Sequence, residues 1–160
     1  MNAVTPTLTL RPAGPADEAF LLAVYASTRQ AELALVPWSE EQKAEFLRGQ
    51  FEAQTAHYRE HYTGVSYDAI ELDGRPVGRL YVARWDDEIR IMDIALLPEH
   101  RGAGIGTRLL RDLLGEAAET EKRVTIHVEA SNPALRLYER LGFRPVKERG
   151  PYLLLEARPE

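Results

Sequence analysis

No cysteine occurs anywhere in the chain. A disulfide framework, a thiolate metal site and a cysteine nucleophile are therefore excluded. No apolar stretch is long enough to span a bilayer, and the N-terminus lacks the basic, apolar and small-residue succession of a secretory signal. The cytoplasm is the expected compartment, with no membrane partner. Lysine and arginine nowhere gather into the block that marks a nucleic-acid surface, and the formal net charge is −5. Nucleic acid is therefore not an expected partner. Acidity of this size serves solubility and also favours cationic substrates through the overall field. With 44% hydrophobic and 28% charged residues, the remaining composition is that of a globular protein, and residues 1–160 suit a single domain.

The hydrophobic period changes along the chain. Thr7–Arg11 alternates like a short strand, and Asp17 is placed to cap a helix carrying Phe20, Leu21, Val24 and Tyr25. Ser39 and Gln42 have capping-box spacing at the start of a second helix, which presents Phe46, Leu47, Phe51, Tyr58 and Tyr62 and ends near Gly64. Tyr67–Leu72 and Pro76–Trp85 read as strands joined by the hairpin signal Asp73-Gly74. A third apolar strand, Glu88–Leu97, follows the Asp86-Asp87 turn and is closed by Pro98. A helix from about Gly104 to Glu119 comes next, then the alternating strand Arg123–Glu129. Ser131-Asn132-Pro133 opens a short helix ended by Gly142, and Phe143–Lys147 and Tyr152–Glu156 form a last strand pair. Helices mixed with largely antiparallel strands predict an α+β fold, a mixed central sheet flanked by helices.

Three glycines crowd residues 102–106 between a strand and a helix. A flexible turn is the plainest reading. An anion site is the sharper one, because the first N–H groups of a helix lack intrahelical partners and glycine lets a phosphate approach them. A nucleotide P-loop is excluded, since residues 100–110 contain no lysine. A dinucleotide fingerprint fits poorly: in Gly102-Ala103-Gly104-Ile105-Gly106-Thr107 the third glycine arrives one place early.

The stretch Arg101-Gly102-Ala103-Gly104-Ile105-Gly106 matches the acetyl-CoA motif [Q/R]-x-x-G-x-[G/A] of the GCN5-related N-acetyltransferases. Some thirty residues on, Asn132-Pro133-Ala134-Leu135-Arg136-Leu137-Tyr138-Glu139-Arg140-Leu141-Gly142-Phe143 matches their signature N-x-x-A-x-x-L-Y-x-x-x-G-F. The chain thus resembles that family, strongly over 88–145 and weakly over 28–66. The resemblance implies an N-acetyltransferase that moves the acetyl group of acetyl-CoA directly to a primary amine of a small molecule, peptide or protein. It implies cofactor contacts from the glycine loop (Arg101 to Thr107), from Asn132, and from a bulged strand at Ile94, Ala95 and Leu96 whose N–H groups also face the oxyanion. Tyr138 matches the general acid. An acyl-CoA-binding regulatory module without efficient transfer is the alternative that the same motifs allow. Pairing of two copies through the C-terminal strands is a family habit.

The general base stays open at this stage. Thr125, His127 and Glu129 share one face of their strand, opposite Val124, Ile126 and Val128. His127 falls where relatives that acetylate protein N-termini carry a glutamate, and Glu129, Glu32, Asp93 and a water chain are the other candidates. For the acceptor, Tyr25, Arg29, Glu32, Trp38, Trp85 and Tyr152 offer mixed aromatic and charged groups. His57 and His61 have metal-ligand spacing, but the stretch H-Y-R-E-H has no intervening acid of the metalloprotease type and no evident third ligand, so no metal is expected.

Overall fold

A computed structural model describes residues 6–159. Along the chain run β1 (Leu8–Pro12), α1 (Glu18–Leu33), α2 (Glu40–His61), β2 (Val65–Leu72), β3 (Arg75–Arg84), β4 (Glu88–Leu96), α3 (Ile105–Thr120), β5 (Arg123–Glu129), α4 (Leu135–Arg140), β6 (Arg144–Arg149) and β7 (Tyr152–Ala157). The seven strands form one sheet in the order β1-β2-β3-β4-β5-β7-β6. Every neighbouring pair is antiparallel except β4 and β5. This is the α+β architecture read from the changing period.

Local chemistry explains several boundaries. Asp73 and Gly74 both take positive φ, 52° and 79°, as a two-residue hairpin turn with right-handed strands requires. The Ser39 hydroxyl accepts from the Gln42 N–H at 3.1 Å, and Gln42 Oε1 accepts from the Ser39 N–H at 2.9 Å, so the capping box is formed. Asp17 behaves differently from the expectation, because its side chain makes no cap bond to α1. Its carboxylate takes the Gly14 N–H at 2.8 Å and a two-pronged contact from Arg11, and these bonds hold it at a pKa of about 2. The short helix after Asn132-Pro133 is also corrected: α4 begins only at Leu135, because Asn132 Oδ1 accepts from the Ala134 N–H at 2.8 Å and closes a turn of its own.

One face of the sheet packs on α3, whose buried residues Ile105, Leu109, Leu110, Leu113 and Ala117 form a stripe at helical spacing. They meet Ile89, Ile91, Val124, Ile126, Val128 and Leu155. On the other face, α1 and α2 pack through Leu21, Tyr25 and Phe51. The β4–β5 pair is clamped at its start by Glu88, which accepts from Arg90 and Arg123 at 2.8 Å each and from the Thr125 hydroxyl. Burial opposes that charge, but Thr125 and the two arginines outweigh it and hold the carboxyl below its ordinary value.

Gly78 on β3 faces Leu96, and a Cβ there would collide with the Ala95 carbonyl oxygen and the Leu96 side chain. Substituting Gly78→Ala forces β3 and β4 apart and is expected to destabilise the protein by about 1–3 kcal/mol, measured by urea unfolding. An unchanged midpoint would show that β4 carries no such constraint.

Candidate acyl-transfer cleft

The site begins with a missing hydrogen-bond ladder. The parallel pair β4–β5 runs only from Glu88↔Arg123 to Ile91↔Ile126. Beyond it, β4 follows β3 as far as Leu96, while β5 follows β7 as far as Glu129. The cause lies in the register with β3: Tyr81 pairs with Asp93 and Val82 with Ile91, leaving Met92 as an extra residue. Such a bulge bends its strand and increases the local twist. It stands earlier than the Ile94–Leu96 position expected for it. Ile94, Ala95 and Leu96 instead form the straight edge beyond the bulge, where backbone groups facing β5 have no ladder partner.

A cleft of 670 Å³ occupies this parting. Met92 to Leu96 form one wall, His127 to Glu129 and Ser131 to Ala134 another, with Leu137 and Tyr138 between them. At one end lies the glycine turn. Gly102 and Gly104 take φ of 78° and 84°, a region costly for any residue with a Cβ. Gly104 caps α3 without a side-chain bond, and the helical ladder starts with the Arg108 N–H on the Gly104 carbonyl. The N–H groups of Ile105, Gly106 and Thr107 therefore have no partner within the helix, and its first turn carries no acid. Ile105 is buried in the core and offers only backbone, while Ala103 completes the turn. Arg101 braces the loop, donating to the Leu96 carbonyl at 3.0 Å and to the Ser27 hydroxyl at 3.3 Å.

At the other end stand Tyr25, Thr28, Arg29 and Glu32 from α1 and Gln54 and Tyr58 from α2, with Arg79 from β3. Of the acceptor candidates, Tyr25, Arg29, Glu32 and Tyr152 line the cleft. Trp38 does not; it packs edge-on against Phe46, with 5.2 Å between ring centroids. Trp85 stacks on Tyr62 at 6.2 Å, and its indole donates to the Thr63 carbonyl. Arg79, Gln54 and Met92 were missed by sequence reasoning. Only Arg79 left a signal, as a charge inside the apolar run Val77–Ala83.

His127 and Glu129 stand on one lip of the cleft, and Glu129 lies 4.0 Å from Arg29. Partial burial, then the charges of Arg90 and Arg149, push the His127 imidazole below its ordinary value, so it is neutral at pH 7. Tyr138 is 5% exposed and packs edge-on to Phe143 at 5.7 Å. Burial and the nearby Asp93 charge push its phenol up to about 12. The arrangement thus offers a neutral imidazole, a protonated phenol, an unpaired strand edge and a bare helix N-terminus around one cleft.

Comparison with known proteins gives this geometry a family. The model of the Acetyltransferase (GNAT) family matches residues 23–143. The chain belongs to the GNAT acetyltransferase family. Within it, a Bacillus subtilis protein provisionally named a ribosomal-protein-bS18-alanine N-acetyltransferase is 33% identical over 113 residues, 68% of this chain and 66% of the relative. The Haemophilus influenzae ribosomal-protein-bS18-alanine N-acetyltransferase is 37% identical over 67 residues, 41% of this chain and 46% of its own length. Among solved GNAT structures, the PaiA N-acetyltransferase of Thermoplasma acidophilum in complex with coenzyme A has the same fold, with a TM-score of 0.72 at 16% identity over 95% of this chain and 99% of that one. Among the described residues, no helix is long and apolar enough to cross a membrane. The His57 and His61 rings lie 4.6 Å apart and tilted, and among the described residues no group of three or more metal-ligating side chains occurs.

A side chain at Gly104 tests the loop. Gly104→Glu sets a carboxylate at a left-handed position on the anion-accepting end of α3, and acetyl-CoA affinity is expected to fall by about 100-fold. Calorimetric titration of the folded variant measures it, and unchanged binding would remove this loop as the phosphate site.

Proposed function

We propose that this GNAT protein transfers an acetyl group from acetyl-CoA directly to the α-amine of a peptide or protein. The observation that carries the reading is the parting of β4 and β5 at Met92, which opens an unpaired backbone edge leading to the bare N-terminus of α3. The edge suits an extended amide-bearing arm as an added strand, and the N–H groups of residues 105–107 suit a pyrophosphate. Bound there, acetyl-CoA supplies an activated acetyl thioester.

The residues of the chain then divide the remaining work. N–H groups along Ile94–Leu96 stabilise negative charge on the carbonyl oxygen. His127 takes a proton from the amine as the new N–C bond forms, and Tyr138 gives one to sulfur as the C–S bond breaks. With no cysteine in the chain to carry the acetyl group, transfer is direct. Asn132 holds the turn beside the arm through its bond to the Ala134 N–H. The α-amine follows from the base. A peptide α-amine has a reference pKa near 8, so at pH 7 about one molecule in ten is already neutral, against fewer than about one in a thousand for a lysine side chain near 10.4. A histidine held below its ordinary value suits the first task far better than the second. The names of the Bacillus and Haemophilus relatives, which specify an alanine N-terminus, support the same class.

Coenzyme A release is expected with a peptide beginning in alanine, and not with that peptide blocked at its N-terminus. Tight acetyl-CoA binding without release across a panel of amines would instead favour the non-catalytic binding module. Tyr138→Phe is expected to lower kcat at least about tenfold and leave acetyl-CoA affinity unchanged, and full turnover would overturn the general-acid role. Because the base form of His127 must be present, kcat/KM corrected for amine ionisation should hold its plateau down to below pH 6.5. Its acidic limb should disappear in His127→Ala; the same limb in that variant would assign the base elsewhere.

A further inference from the structure

A charged pair sits where charge is expensive. Arg79 is 2% exposed, and its Nε and Nη1 are buried without a hydrogen-bond partner among the described residues. Only Nη2 is bonded, to Asp93 Oδ2 and, at 3.0 Å, to Gln54 Oε1. The rest of the guanidinium lies against the rings of Tyr25 and Tyr81, at 5.5 and 4.8 Å from their centroids. A buried pair of this kind adds little to stability, and apolar residues of the same volume commonly serve as well or better. Its position suggests what it does instead.

Asp93 is the residue immediately after the bulge. It pairs with Tyr81, so its side chain lies on the α1–α2 face of the sheet. His127 is the first residue of β5 beyond the last β4–β5 pair, and it shares that face with Thr125. A carboxylate and an imidazole therefore line the cleft from the two strands that part. Arg79 occupies Oδ2 alone. Oδ1 has no bond among the described residues and is not among the buried unpartnered atoms, which leaves it to the cleft. The same charge is near enough to raise the Tyr138 and Tyr58 phenols, second only to burial in each case.

We infer that Asp93 receives the acceptor as its ammonium, through Oδ1 and opposite His127, and that Arg79 is a positioning residue that holds the carboxylate there. The inference rests on the acetyl-transfer reading and names the acceptor as a cationic primary amine. Binding as the ammonium captures the prevalent protonated form; its first proton passes to solvent before attack, and His127 takes the second as the N–C bond forms. The guanidinium fixes Oδ2 and leaves Oδ1 to accept from the ammonium, so the two lips have separate tasks.

The test uses the full-length protein, acetyl-CoA and a short peptide beginning in alanine. Asp93→Asn is expected to raise the peptide KM by about 10- to 100-fold, the worth of a hydrogen bond to a charged group, with acetyl-CoA affinity unchanged. Arg79→Met leaves Asp93 without its buried counter-charge, so its kinetics are read only beside the double variant. The double variant Arg79→Met/Asp93→Asn removes both charges and is expected to regain wild-type unfolding stability while keeping the raised peptide KM. Wild-type KM in a stable double variant, or in Asp93→Asn, would make the pair purely structural and overturn the inference. A wild-type protein that binds acetyl-CoA but transfers to no peptide amine would instead overturn the acetyl-transfer reading, and this inference with it.

Discussion

One extra residue governs the molecule. Met92 has no partner on β3, and past it the backbone of β4 turns away from β5. A sheet normally satisfies its central strands on both sides, and an open edge at its middle is a cost unless something fills it. The fold bears that cost by holding both strands firmly elsewhere. Glu88 binds Arg90, Arg123 and Thr125 at the closed end, so the pair cannot separate there. Beyond the split, β3 approaches β4 so closely at Gly78 that no side chain fits, and β7 pairs with β5 along its whole length. Each strand is rigid where it lines the cleft because its outer neighbour makes it so.

The helices take their functions from that parting. α3 is anchored by its apolar stripe on the β4–β5 face, and this places its bare N-terminus at the end of the open edge. α4 brings Tyr138 into the same gap, packed on Phe143. From the opposite face, α1 and α2 contribute a polar group of walls around the Arg79–Asp93 pair. Backbone groups thus line the end of the cleft at the α3 N-terminus, and side chains line the end by α1 and α2.

Much of this was legible in the residues. The Asp73-Gly74 hairpin, the Ser39–Gln42 capping box and the Gly142 helix end form as read, because each depends on contacts within four residues. Asp17 departs from its capping pattern because Arg11, on a different element, competes for its carboxylate. Trp38 and Trp85 looked like cleft aromatics, but each had a nearer ring to pack on. The helix after Asn132 starts later than its sequence suggests, since the asparagine side chain closes its own turn first.

By itself the sequence determined the order and type of the elements, the glycine turn ahead of α3 and the family to which the chain belongs. These follow from local periodicity, local capping and motifs of fixed spacing. The tertiary structure alone decided where β4 bulges, since an unpaired residue exists only relative to the strand beside it. It alone decided that Asp93 and His127, more than thirty residues apart in the chain, line one cleft. It also decided that the Arg79 charge is buried against two tyrosine rings and not in solvent. Register and burial are relations between segments, and they come into being only when the sheet closes.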